Sequence, residues 1–334
     1  MKKFMNDPSS FEADMLEGIL LAHGDELEAL DPDRRALVRR QAPSAGKVGL
    51  VTGGGSGHLP LFLGYVGQGM LDGVAVGDVF ASPSAMVMLE VTRRVNSGSG
   101  VLYLYGNYGG DVLNFDMAAE MATDEGIEVE SVVGIDDVAS APKGEESRRR
   151  GIAGLFYLYK LAGAKAELGA SLAEVKEVAE KAIARTRSMG VALSPCYLPS
   201  TGQASFAIGP DEMEVGMGIH GEPGMERLPI EQSHQLVSRL LEPMVQELSL
   251  GAGDQVSVLV NGLGATSREE LYIVYRDVHR WLANFGIEVL LPYIGEFATS
   301  LEMSGMSVSI LSLEDELVEL LAHPCDTPFW RQCR

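Results

Sequence analysis

Sulfhydryl chemistry is sparse in this 334-residue chain: its three cysteines, Cys196, Cys325 and Cys333, form no C-x-x-C pair and have no histidine at metal-ligand spacing. A disulfide framework and a zinc site are therefore not expected, no metal is assigned to the chain, and a reducing cytoplasm is the expected compartment. Long hydrophobic runs are missing as well. No stretch of about 18 apolar residues occurs and Met1 to Pro8 is polar, so neither a membrane span nor a secretory leader is expected. Positive charge is scarce: 26 Lys and Arg stand against 47 Asp and Glu, a formal charge of -21. Such a surface repels phosphate backbones and anionic membranes, which argues against nucleic acid as a ligand. Low-complexity segments and a clear internal repeat are also lacking.

With 46% apolar and 22% charged residues, the chain has the material for one large core or two smaller ones. Short apolar runs alternate with helix-length amphipathic segments: Lys47 to Thr52, Ser84 to Asn96, Gly100 to Tyr105, Asn114 to Glu125 and Val129 to Ile135. That rhythm predicts parallel β-α units. Ala141 to Arg150, charged and containing Pro142, reads as an exposed loop. Helical patterns follow over Gly151 to Gly169 and Ser171 to Met189, the second opened by a capping box of Ser171 and Glu174 and ending near Gly190. Beyond a Gly- and Pro-rich stretch from Val191 to Gly224, a second series predicts helices over Glu231 to Leu248 and Arg268 to Phe285. Its strands are expected over Gln255 to Asn261, near Glu288 to Leu291 and over Ser307 to Ser312. The expected fold class is α/β, with two α/β domains, 1–189 and 190–334, each around a mainly parallel or mixed sheet. Leu317 to Arg334 is the segment able to return to the first domain.

Two glycine-rich turns close predicted strands, and open α/β sheets bind ligands at the carboxyl ends of their strands, so both turns should face one crevice. The first, VTGGGSGHLP over Val51 to Pro60, presents backbone N–H groups to an anion or a sugar oxygen. No lysine follows to make it a P-loop, and the third glycine of a dinucleotide fingerprint is missing. His58 is compatible with acid-base chemistry or with a cap on a local carbonyl. The second turn, GVLYLYGNYGGD, places Asp111 either at a ligand or as the cap of a helix beginning near Val112. His220, in DEMEVGMGIHGEPG, follows an apolar run and is flanked by Gly218 and Gly221, which leave room beside the imidazole. The other reading is a loop histidine packed at a domain interface. His23, His234, His279 and His323 sit in helices or beside Pro324 and are read as structural.

Taken together, GGGSGH, GDVFASPS, NYGGD with LNF behind it, GVALSPC, DEMEVGMGIHGEPG, VNGLGATSREELYIVYR and TSLEMSGMSVSIL resemble the substrate-binding, DhaK-type subunit of dihydroxyacetone kinases. The resemblance runs in order from Lys3 to Trp330 and implies two DhaK-type α/β domains. It implies that His220 adds through a ring nitrogen to the ketone carbon of dihydroxyacetone, forming a hemiaminal. Gly55, Ser56, Gly57 and His58 would hydrogen-bond the new hydroxyl, and Phe80 and Ser82 would line the pocket. Asp111 would accept the proton of the attacking terminal hydroxyl, with His58 assisting; such help is worth roughly 10² to 10⁴ in rate. No nucleotide is expected on this chain. The resemblance implies a small helical DhaL-type partner holding ADP or ATP with magnesium, recharged in many bacteria by the phosphotransferase system, and a homodimer of the chain itself.

The chain departs from the family twice. Gly106 stands where the pattern KNYTGD has lysine, removing a positive charge where negative charge would develop; a hydrogen bond to a charged group is worth about 1.5 to 3 kcal/mol. Leu59 replaces the glutamate of GGGSGHEP, making a pocket wall or partner contact more apolar. These departures leave two readings open: a kinase subunit with altered preference, such as for a ketotetrose, or a paralogue that binds ketose through His220 and senses it for a transcription regulator.

Overall fold

Strands rich in β-branched residues form two large mixed sheets, and a helix that is apolar on nearly every side lies between them. The computed structural model describes residues 2–333. After α1 (Phe11–His23) come β1 (Leu27–Ala29), β2 (Ala36–Arg39), β3 (Gly49–Ser56), β4 (Gly73–Val79), α2 (Ala85–Val95), β5 (Val101–Gly106), α3 (Gly109–Asp124) and β6 (Val129–Gly134). The spatial order is β1-β2-β4-β3-β5-β6. β3 pairs in parallel with β4 and β5, and β5 with β6, while β1 and β2 add an antiparallel edge. The expected β-α rhythm is therefore this parallel centre. β4, the strand the sequence pattern missed, has its apolar signal diluted by Gly73 and Gly77.

Next come α4 (Leu155–Glu167), α5 (Leu172–Ala184), β7 (Thr186–Ser194), β8 (Glu212–Val215), β9 (Glu226–Pro229), α6 (Ser233–Leu248), β10 (Gln255–Gly262), α7 (Arg268–Asn284), β11 (Glu288–Val289), β12 (Tyr293–Gly295), β13 (Ser304–Ser312) and α8 (Asp315–Ala322). The second sheet runs β11-β10-β13-β7-β8-β9, with β12 also on β10. It is mainly antiparallel; β11 and β12 alone run parallel to β10. The capping box of Ser171 and Glu174 opens α5. The helix expected to reach Gly190, however, stops at Ala184, and Met189 lies inside β7, antiparallel to β13. Tertiary pairing outweighs helical periodicity here: Ser188 Oγ meets Ser309 Oγ at 2.6 Å across the two strands.

Between the sheets, α4 is buried from Leu155 to Ala164, Lys160 included, as a helix apolar on nearly every side must be. Tyr159 Oη meets Thr52 of β3 at 2.9 Å, and Tyr157 Oη meets Ser257 of β10 at 3.0 Å, so one helix bonds to both sheets. The loop over 141–150 is not exposed throughout. Arg149 is fully buried, its guanidinium bidentate on Glu247 at 2.8 and 2.7 Å. The C-terminal segment packs back across the molecule: Lys160 Nζ donates to Leu320 O and His323 O, and Asp326 N–H donates to Gln68 O at 2.9 Å. No helix among the described residues is long and apolar enough to cross a membrane.

Candidate active site between the sheets

β3 and β5 are parallel neighbours, so their carboxyl ends open on the same side. The glycines do not end β3; the strand continues through Gly53, Gly54 and Gly55 to Ser56. Close approach explains them. A Cβ on Gly55 would stand 2.6 Å from Ala81 N, and one on Gly57, where φ is +103°, would stand 2.8 Å from the Phe80 ring. The turn after β4 thus folds directly over the turn after β3. Phe80, itself left-handed at φ +58°, donates its N–H to Ser56 O at 3.0 Å, and Ser56 Oγ donates to Gly77 O at 2.8 Å. A bulky side chain in that conformation costs about 1–3 kcal/mol and is a feature of sites where geometry is held by its surroundings.

The loop between β12 and β13 holds this turn from the other sheet. Leu301 N–H donates to Gly57 O at 2.7 Å and Thr299 N–H to His58 O at 3.2 Å. His58 is 1% exposed and its Nδ1 lies 2.7 Å from Thr299 O. A carbonyl only accepts, so Nδ1 carries the proton and Nε2 presents a lone pair, buried without a partner in the chain. The carbonyl that His58 meets comes from the other sheet and not from its own turn. Burial, reinforced by the neighbouring His220, pushes the His58 pKa down to about 3. Near neutrality this ring is an acceptor, not an acid.

His220 comes from the loop between β8 and β9 and meets that ring edge-on, centroids 4.7 Å apart. Phe80 and Tyr108 complete the enclosure at 5.2 and 4.7 Å, both near perpendicular, and Phe80 stacks on His58 at 4.9 Å. The His220 Nδ1 lies 2.8 Å from Glu222 Oε1, and its backbone N–H donates to Oε2 at 3.0 Å. A carboxylate on Nδ1 fixes the tautomer and leaves the Nε2 lone pair outward on a side chain 22% exposed. Burial alone would raise the Glu222 pKa, but the bond and charge of His220 outweigh it and hold it at about 2.

Asp111 lies in the first turn of α3 but does not cap it: the helix starts at Gly109, with Tyr108 at the cap position and no capping side chain. Its Oδ1 is buried without a partner. Burial raises its pKa to about 6, opposed by a hydrogen bond with Ser82 and by the charge of His220. Gly110 makes room for Ser82, whose Oγ would stand 2.6 Å from a Cβ there. The structure therefore brings His220, His58 and Phe80 into ring contact, sets Ser82 against the turn that carries Asp111, and lays Gly55 and Gly57 against Phe80. Leu59 lines a small pocket together with Gly55, Ser56, Gly57 and His58 and also borders a cavity of about 470 Å³ with Pro60, Thr266, Arg268, Leu271, Glu296 and Phe329. Gly106 is near: its Cβ would stand 3.1 Å from the Tyr108 ring. Sequence reasoning missed Glu222, Tyr108 and Thr299. The only available signal for Glu222 was its place two residues after His220.

Two imidazoles in edge contact, a carboxyl with a raised pKa and glycine-rich strand ends lie at the end of an α/β sheet where such folds take up ligands. The Dak1 domain model matches residues 17–329, and the chain belongs to that family. It is 46% identical over 331 residues to the dihydroxyacetone-binding subunit DhaK of PTS-dependent dihydroxyacetone kinase 2 from Listeria innocua, covering 99% of both chains. It is 42% identical to the L-erythrulose kinase of Pectobacterium atrosepticum over 99% of this chain and 56% of that one. Among solved structures, the dihydroxyacetone kinase of C. freundii superposes with a TM-score of 0.90 at 35% identity, over 99% of this chain and 60% of that one. The dihydroxyacetone kinase operon co-activator Dha-DhaQ also gives 0.90, at 34% identity over 96% and 99%.

Proposed function

We propose that this chain is the ketose-binding subunit of a multi-subunit dihydroxyacetone kinase, holding its substrate covalently on His220 while a partner donates the phosphoryl group. The observation that carries the reading is the His220 ring itself: Nδ1 engaged by Glu222, Nε2 bearing a lone pair, and three aromatic rings around it. Nε2 bonds to the ketone carbon and the carbonyl π pair moves to oxygen. The Nδ1 proton, relayed through Glu222 and water, ends on that oxygen, so the hemiaminal is neutral, Glu222 is again a carboxylate and no hydroxide is left. His58 Nε2 accepts a hydrogen bond from the new hydroxyl, and the Gly55–Gly57 backbone lies against the sugar. Asp111, ionised above about pH 6, takes the proton of the terminal hydroxyl as that oxygen attacks phosphorus. A substrate without a carbonyl, such as glycerol, forms no adduct and is rejected on chemistry as well as shape.

The phosphoryl group comes from a nucleotide-binding DhaL-type subunit carrying ADP or ATP with magnesium, recharged through the phosphotransferase system. The chain works as a cytoplasmic homodimer in short-chain ketose or glycerol metabolism. The Listeria and Pectobacterium relatives, a dihydroxyacetone-binding subunit and an L-erythrulose kinase, support a ketose of three or four carbons. Intact-protein mass spectrometry with and without dihydroxyacetone, trapped by borohydride, tests the capture step: an adduct on the wild type and none on His220→Ala is expected. Wild-type protein that stays unmodified across a panel of short ketoses refutes it.

Gly106 favours a second reading, a ketose sensor without turnover, and the likeness to an operon co-activator supports it. Turnover with a DhaL-type subunit, phosphate donor and ketose separates the two. Gly106→Lys is informative only beside Gly106→Ala, because any Cβ there presses on Tyr108. Faster transfer in the lysine variant than in the alanine variant is expected if the missing charge limits the reaction.

A further inference from the structure

The carboxylate that orients His220 is itself held by a residue of a distant segment. Arg150 ends the loop before α4, and its side chain is 14% exposed. Its Nε donates to Asp137 Oδ2 at 2.9 Å, its Nη2 reaches the same oxygen at 2.7 Å and donates to Gly216 O at 3.0 Å. The remaining nitrogen, Nη1, stands 3.8 Å from Glu222 Oε2. That spacing is too long for a hydrogen bond, so the contact is electrostatic. The anchor is firm: the Asp137 side chain is 1% exposed, Oδ1 accepts from Ala139 N–H at 3.0 Å, and its own N–H donates to Arg150 O at 3.1 Å.

Gly218 shows that the meeting is built into the fold. A Cβ there would stand 2.2 Å from Glu222 Oε2 and 2.5 Å from Arg150 Nη1. Any side chain would occupy the space in which guanidinium and carboxylate face each other. The loop that carries Arg150 also braces the opposite wall: Asn107 Nδ2 donates to Ser147 O and Arg149 O at 2.9 and 2.7 Å, and Tyr108 Oη donates to Gly151 O at 3.1 Å.

We propose that Arg150, anchored by Asp137, is a positioning residue for His220: it holds Glu222 against the imidazole Nδ1 and so keeps the nucleophilic lone pair on Nε2. With 30% of its side chain exposed, Glu222 released from the guanidinium swings toward water, and the ring redistributes its proton between both nitrogens. The tautomer claim concerns the chain without ligand; only its consequence for ketose capture rests on the proposed function.

The test is ¹H–¹⁵N correlation of the His220 ring in labelled protein. Wild type should show one tautomer, Nδ1 protonated and Nε2 not. Arg150→Met should show mixed tautomers and a loss of ketose affinity of about tenfold or more, the scale at which outer contacts of a histidine ligand act. Arg150→Lys should recover part of both, because an ammonium can reach one carboxylate but lacks the fork to span two. Should Arg150→Met fail to fold, Asp137→Asn loosens the same anchor and should shift the tautomer in the same direction. A folded Arg150→Met with the single wild-type tautomer overturns the proposal whatever its ketose affinity, as does an unchanged tautomer in Asp137→Asn. If the wild type captures no ketose, the proposed function fails while the tautomer comparison still decides this one.

Discussion

One buried oxygen without a partner distinguishes Asp111 among the described carboxylates of an acidic chain. Its folded pKa of about 6 lies above the ordinary 3.8, so between those values the native state binds the proton that the unfolded chain has released. Stability therefore falls as pH rises through that window and stays lowered above it. Asp111→Asn should match wild type below pH 4 and be more stable by about 2–3 kcal/mol above pH 6. Urea unfolding of both proteins across pH 3.5–7.5 checks this, and a pH-independent difference would refute the buried-carboxyl account. The same variant should keep the ketose adduct while phosphoryl transfer drops roughly 10² to 10⁴-fold. At this scale His58, Asp111 and His220 were legible because each closes a glycine-rich turn. Glu222 was not, since one carboxylate among 47 acidic residues carries no mark until its contact with Nδ1 is seen.

Among the elements, the loop between β6 and α4 is exposed over most of residues 142–148, as its sequence texture predicts, but is pinned at buried Ala141 and Arg149. Its charge pattern reads as solvated, yet two adjacent arginines have opposite fates. Arg148 is 74% exposed on Glu145, whereas Arg149 is fully buried, with Nε on Ala141 O at 2.9 Å and both other nitrogens on Glu247 of α6. Arg149→Ala should cost about 3 kcal/mol, because it opens a cavity and strips Glu247 of a buried partner, although Arg187 still neutralises part of that charge. Arg148→Ala should leave the urea midpoint where it is. Equal effects would mean the loop is not a brace. The same limit applies to α5 and β7: helical periodicity ran on to Gly190, but the pairing of β7 with β13 is a contact between segments over 100 residues apart. No local pattern encodes it.

At the level of the whole molecule, α4 is the shared core of both sheets, and Lys160 on it ties down the C-terminal segment without a carboxylate partner. Burial lowers its pKa to about 8 from 10.5. Between those values the unfolded chain binds a proton the native state lacks, so Lys160 by itself contributes a rise in stability with pH from 8 to 10, read as the difference from a variant without the ammonium. Lys160→Met should lack that contribution, which unfolding midpoints of both proteins at half-unit pH steps will show; a difference that stays flat with pH refutes it. The sequence by itself determined the α/β class, the parallel strands β3, β5 and β6, and the turns bearing His58, Asp111 and His220, because apolar period and glycine position are local properties of the chain. Only folding set His220 against His58 across two sheets, let Thr299 and Glu222 choose the protonated nitrogen of each ring, and made a loop pinned by buried Arg149 brace the site. Those outcomes depend on which groups are brought together after water is excluded, and distance and burial are not written in any one segment.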